Sequence, residues 1–416
     1  MCPVRLRDQV ESLVRSWGAY EEARGGRAVI DFDCAPTHEP VVPAASRIDV
    51  HDQLTALNQQ AKVDGDSNVE LTTRAHLAYL STVLGERYDL DTYMRATQGC
   101  GAAGWSEEYV SDLGEQARAA YADLGVSWGP KTADEVFQLE TPMTIERAAT
   151  QVLVLADEAE PAVRRLTGTT ATYSVGVEVV DVDDYWAFWV DGAGHHARLR
   201  FNKRNAVFSE DGLRFFAQHE LLGHALQCSS FTQTAENEDV DWVRTLTVHL
   251  PYQPLLEGLA TAWPIYTEPD NQPLMAKAKL NHYMHMVRGE VHRAINAGFS
   301  VRDVADHVLA RAPWLSLEQI GDLLSDRGTE PLLRSYLWSY TAGTDWFMRL
   351  GQDADAETIK KGPDRVLPAP AHAERACRTM AGRSALRRRW STDRATQDQH
   401  ELTRSEPAEV RRSLAS

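Results

Sequence analysis

The chain has 416 residues, of which 43% are hydrophobic and 25% charged. That balance belongs to a globular protein rather than a disordered or fibrous one. With 60 Asp and Glu against 43 Lys and Arg, the net charge is −17, which argues against nucleic acid or an anionic membrane as a partner.

No apolar run approaches the roughly 18 residues that a membrane span needs. The first residues lack the apolar core of a secretory signal, so a cytoplasmic location is expected. The five cysteines, at positions 2, 34, 100, 228 and 377, are odd in number and scattered. They form neither a disulfide framework nor a metal-binding spacing.

In chain order, apolar periodicity predicts helices over 4–24, 51–61, 69–97, 105–124 and 144–167, with a loop over the Pro- and Gly-punctuated 25–50. Residues 170–205 change character. Three β-rich runs broken by Asp- and Gly-containing turns predict a small sheet. Helices resume over 212–228, 253–267, 274–297, 301–311, 316–326 and 331–350, with a charged loop or short helix over 229–249. Beyond residue 362 basic residues outnumber acids, Arg387, Arg388 and Arg389 cluster, and a poorly ordered tail is expected. The fold class is mainly α with a small β-sheet (α+β). Three regions are expected: a helical 1–168, a catalytic 169–350, and the tail 351–416.

The chemistry concentrates at His219-Glu220-Leu221-Leu222-Gly223-His224. In the common H-E-x-x-H zinc helix the histidines are four apart and share a face, and the Glu is the general base. Here they are five apart, about 140° around a regular helix instead of about 40°. Two such imidazoles cannot share a metal unless the helix is widened locally. A π-type turn does this, because its i→i+5 bonding stacks residues five apart, and Gly223 lowers the steric cost. On the order of 0.03 such matches would arise by chance in a chain of this composition.

A catalytic zinc usually keeps three protein ligands. Glu257 is the candidate third, a lone acid in the apolar, small-residue run Leu255-Leu256-Glu257-Gly258-Leu259-Ala260-Thr261-Ala262. A carboxylate in such surroundings should be paired or metal-bound. Further on, His285, Arg288 and His292 recur at i, i+3 and i+7, one face of a helix. They are candidate pocket residues, with Arg288 placed to hold a substrate carboxylate through its planar fork.

These motifs resemble a bacterial gluzincin-type, metallopeptidase-like family of unassigned function, marked by H-E-x-x-P-G-H, H-L-Q and E-G-W-A. The corresponding text is His219 to Gln227 and Glu257-Gly258-Leu259-Ala260, with the Pro missing and Leu259 in place of Trp. The H-E-L-L-G-H spacing is that of the dipeptidyl peptidase III family, whose second, double-acid motif is absent. Arg288 to Ser300 and Tyr336 to Gly343 extend the first resemblance.

The resemblance implies a gluzincin-like architecture with the metal on two packed helices. It places Tyr340 on a tyrosine that could stabilise an oxyanion. It also implies that Arg198-Leu199-Arg200-Phe201-Asn202 is an edge strand beside the cleft, with Arg198, Arg200 and Asn202 facing an extended substrate.

Together these readings predict one Zn2+ held by His219, His224 and Glu257. Glu220 is the expected general base, and Tyr340 with His285 or His292 the expected oxyanion donors. The expected reaction is hydrolysis of a peptide or small amide. The rivals are a lyase or isomerase step on a small metabolite on the same scaffold, and a metal-free binding protein.

Overall fold

The computed structural model describes residues 4–353, except Tyr185 and Asp326. Of the tail expected over 351–416, residues 351–353 belong to the last helix and 354–416 lie outside the described residues.

The N-terminal part holds α1 (Leu6–Glu22), β1 (Phe32–Asp33), α2 (Arg47–Asp64), α3 (Ser67–Val83), α4 (Leu90–Thr97), α5 (Glu107–Ala122) and α6 (Thr132–Leu139). Then come β2 (Pro142–Met143), α7 (Ile145–Thr167), β3 (Ser174–Val180), β4 (Phe188–Ala193), β5 (His196–Asn202) and β6 (Phe208–Ser209). The long helix that follows is α8 (Glu210–Ala217), a π-helical segment (Gln218–Ala225) and α9 (Leu226–Asn237). The chain continues through β7 (Thr245–Leu246), α10 (Gln253–Thr267), α11 (Gln272–Asn296), α12 (Val301–Arg311), α13 (Leu317–Leu324) and α14 (Pro331–Asp353). The fold is α+β, mostly helical, with a five-stranded mixed sheet and the two-stranded pair β2-β6 among the described residues. No helix among the described residues is long and apolar enough to cross a membrane.

Helix starts follow local chemistry. Ser46, Asp66, Asp89, Ser106, Thr144, Ser209, Asn271, Ser300 and Ser316 each accept a hydrogen bond from a backbone N–H of the first helical turn, which satisfies a donor the helix cannot. The expected single helix over 69–97 is two. Leu84 ends α3, Gly85 follows at φ +106, and Asp89 caps α4. Only glycine takes such a backbone angle cheaply, so the chain breaks there. The expected loop over 25–50 contains β1, and α6 had no counterpart in the sequence reading.

The sheet order is β3-β5-β4-β1-β7. β5 pairs in parallel with β3 and antiparallel with β4, so it is an interior strand. This corrects the edge-strand expectation. The cause is β3, which pairs in parallel along the whole of β5 and takes the outer position. Ala197, Leu199 and Phe201 on β5 are buried, and Phe201 packs on Phe216 of α8 with ring centroids 5.6 Å apart. The alternate residues Arg198 and Arg200 therefore face away from the metal helix.

Candidate metal centre and cleft

The π-helical segment widens the helix where the six-residue motif requires it. His219 and His224 converge, with Nε2 atoms 3.2 Å apart and ring centroids 4.8 Å apart. Glu257 Oε2, from α10, lies 3.3 Å from His219 Nε2 and 3.4 Å from His224 Nε2. Tetrahedral ligands at about 2.0–2.1 Å from a zinc ion stand about 3.4 Å from one another. The three atoms match that triangle. This is the one His, Cys, Asp and Glu group of metal-binding geometry among the described residues.

Backbone proximity sets the triangle. A Cβ on Gly223 would lie 2.4 Å from Ala260 Cβ, so the π segment and α10 meet without a side chain between them. On its other side α10 touches α14 equally closely. A Cβ on Gly258 would lie 2.3 Å from the carbonyl carbon of Gly343. The small residues around Glu257 permit both approaches.

Glu257 uses its two oxygens differently. Oε1 accepts hydrogen bonds from Gln253 Nε2 at 3.0 Å and Tyr336 OH at 2.8 Å. Oε2 is buried without a hydrogen-bond partner and faces only the two imidazoles. An orphaned buried oxygen beside two histidine nitrogens suits a divalent cation. Thr261 Oγ1 stands 3.4 Å from His219 Nδ1 and orients that ring. Burial alone would raise the Glu257 pKa, but His224 and His219 outweigh it and hold the carboxyl well below its usual range. Burial likewise pulls His224 down, and Glu257 overrides it, to about 9. Glu220 is raised, chiefly by burial, with the two imidazoles offsetting part of the effect. A carboxyl shifted this way is a better proton carrier near neutral pH.

Tyr340 stacks beside His219, ring centroids 6.3 Å apart, and its hydroxyl is 2.5 Å from that of Tyr336. His285 continues the line. Its ring is 5.7 Å from Tyr340, and Nδ1 is 2.8 Å from Thr344 Oγ1. Burial, then Arg288, keeps His285 well below its ordinary pKa, so it is neutral. Arg288 lies one turn further along α11. It is exposed to solvent, and desolvation by the protein around it lowers its pKa.

The structure separates the remaining candidates from this line. His292 lies two turns beyond His285, about 10 Å along the helix axis. It is 1% exposed and packs against Trp338, so it cannot touch the atoms that His285 touches. Arg198 grips Asp191 through two 3.0 Å hydrogen bonds, and Arg200 pairs with the same Asp191. Asn202 is fully buried, and Nδ2 donates to the carbonyls of Val182 and Trp186. These three residues fix the sheet and its turn, which corrects their placement as substrate contacts.

Two residues near the centre carried no role in the sequence reading. Tyr336 stood in a quoted stretch, one turn before Tyr340, and only the fold aims it at Glu257. Asp31 precedes β1, and Oδ2 accepts from the Val248 N–H at 2.9 Å. Burial lifts it, the Val248 hydrogen bond offsets part of this, and Asp191 and Glu257 add to the rise, to about 7. Its proximity to Glu257 and His224 depends on strand pairing across most of the chain, and no local pattern signals it.

Comparisons with known proteins reach the fold only. No described family matches the chain, and no curated protein matches it. A solved structure from Colwellia psychrerythraea, described as a "putative lipoprotein", is similar over 66% of this chain, with 16% identity and a TM-score of 0.50. The chain spans about half of that protein, 51% of its length. Trypanosoma cruzi metallocarboxypeptidase 1 aligns over 91% of this chain and 95% of its own, at 12% identity and a TM-score of 0.36.

Proposed function

We propose that the chain is a zinc-dependent hydrolase of gluzincin type, cleaving a peptide or small amide bond, with region 169–350 as its catalytic part and the cytoplasm as its location. The observation that carries this reading is the convergence of His219, His224 and the orphaned Glu257 Oε2 across a π-helical turn. When bound, zinc supplies a Lewis acid and brings the pKa of water toward neutrality.

The chain's own groups do the rest. Glu220 takes a proton from the attacking water and returns it to the leaving nitrogen. His285 supports the developing oxyanion. With Thr344 donating to Nδ1, Nε2 carries the proton, and it has no protein partner among the described residues. Tyr340 is a second donor. Its hydroxyl shares a hydrogen with Tyr336, which itself donates to Glu257, so Tyr340 reaches substrate by releasing Tyr336. Arg288 holds an anionic part of the substrate.

One observation favours a second reading, a zinc lyase or isomerase acting on a small acid. An extended peptide adds to a free strand edge, and β5 has strands on both sides. Metal analysis of the purified protein tests both readings, with about one zinc per chain expected and loss of it in Glu257→Ala. Incubation with a peptide library, read by mass spectrometry, then separates them. Cleavage with gain of water supports the hydrolase. Bound zinc with no cleaved peptide moves the balance to the second reading, and absence of metal overturns both.

A further inference from the structure

Beyond His285 the character of the side chains changes. Asn296, one turn past His292, ties three elements together. Its Nδ2 donates to the carbonyls of His292 at 2.8 Å and Arg327 at 3.0 Å, and its Oδ1 accepts from Arg334 Nε at 2.7 Å. This brings Arg327, from the α13–α14 connection, and Arg334, from α14, against the end of α11.

The two arginines differ in their partners. Arg334 is provided for. It also donates to the Tyr88 carbonyl at 2.9 Å and lies over the Tyr93 ring at 5.2 Å. Arg327 is 6% exposed, and among the described residues its side chain makes one hydrogen bond, from Nε to the Leu323 carbonyl. Neither Arg327 nor Arg288 has an acidic partner among the described residues. They are near enough that the charge of Arg288 helps lower the pKa of Arg327, after burial, to about 9. Beside them His292, 1% exposed, leaves both ring nitrogens without a hydrogen bond.

A buried cation such as Arg327 is costly without a counter-charge, and a second cation beside it adds to the cost. Elsewhere in this acidic chain most described arginines have found a carboxylate, as Arg244 has in Glu11 and Asp8. Two arginines without an acid among the described residues, next to the proposed reaction centre, suit a ligand of opposite sign. The guanidinium fork fits a planar or tetrahedral oxyanion.

We propose that Arg288 and Arg327 form a binding site for a compact oxyanion, a carboxylate or a phosphate, at the end of the substrate. The site lies at the far end of the line that runs from His219 through Tyr340 and His285. A neutral His292 at its wall can donate to the same group. The substrate class is then a small molecule or short peptide that carries its anionic terminus away from the bond being attacked. That orientation rests on the hydrolase reading; the anion site itself does not.

The test is binding of glutarate and of inorganic phosphate to the full-length protein, by calorimetry and by thermal shift, before and after chelation of metal. Saturable binding is expected, weakened about tenfold or more in Arg288→Ala and in Arg327→Gln, with Arg288→Lys intermediate. A preference for glutarate assigns a carboxylate, and a preference for phosphate assigns a phosphate ester. Arg288 is accessible, so Arg288→Ala decides the matter if Arg327→Gln fails to fold. Absence of binding to the wild type, or equal binding to the variants, overturns the proposal. Anion binding that persists in a protein that takes up no metal would sink the hydrolase reading alone. Metal with peptide cleavage but no anion binding would sink this one alone.

Discussion

The two ends of the cleft are electrostatic opposites. At one end Glu257 faces two histidines and has an oxygen without a hydrogen-bond partner, so a cation is wanting. At the other, Arg288 and Arg327 have no acidic partner among the described residues, so an anion is wanting. Histidine registers the contrast. Its pKa rises to about 9 at His224, where Glu257 overrides burial, and falls to about 3 at His292, where burial acts first and Arg327 and Arg334 add to it. One residue type, similarly enclosed, is driven in opposite directions by its neighbours. Unsatisfied groups of defined sign say what a site is waiting for, where a cavity alone does not.

The largest expected effect falls at the metal end. Glu220→Gln should lower turnover about 10²- to 10⁴-fold while metal content stays at the wild-type level; full activity in this variant would refute the proton-transfer role. Next comes the contact that shapes the triangle. Gly223→Ala places a methyl group where 2.4 Å is available. It should cost about 1–3 kcal/mol in denaturant unfolding and weaken metal binding. Unchanged stability and unchanged metal content would mean that the approach of the two helices is not what holds the site.

A smaller effect tests the arginine end. The folded-state pKa of His292 is about 3, below its unfolded value near 6.5. The unfolded chain therefore binds the extra proton between these values, and stability falls as pH drops from about 6.5 toward 3. The slope from one such group is at most about 1.4 kcal/mol per pH unit. His292→Phe should flatten the loss measured by urea unfolding between pH 7 and 5. An identical pH profile would show that His292 does not contribute. The smallest effect is expected from Arg198→Ala, about 0.2–1 kcal/mol for an exposed ion pair, with no change in activity. A large loss of turnover would return β5 to the cleft.

The parts of the site that sequence revealed were those written locally. The extra residue between His219 and His224 specified a π-helical turn, and the apolar frame of Glu257 specified a buried carboxylate on a helix whose ends, 253 and 267, match those observed. Helices with strong periodicity, such as α7 and α12, lie where the pattern put them. The misplacement of Arg198, Arg200 and Asn202 came from strand order: β3 pairs in parallel with β5, and alternation within a strand does not say which neighbours it takes. Arg327 and Asp31 were missed for the same reason. Neither sits in a local pattern, and each gains meaning from partners far away in the chain.

The short strand β1, Phe32–Asp33, bears on how the molecule is made. β1 pairs with residues 192–193 and 245–246, so this part of the sheet closes only after roughly 160 to 210 residues more have emerged, a long loop to order and a slow kind of contact to form. Once made, β4 and β7 present bare strand edges until β1 pairs with them, and such edges are sites for association with other chains. A fragment beginning at residue 169 would keep every proposed metal ligand and still lack the strand between β4 and β7. Its foreseeable fate is aggregation.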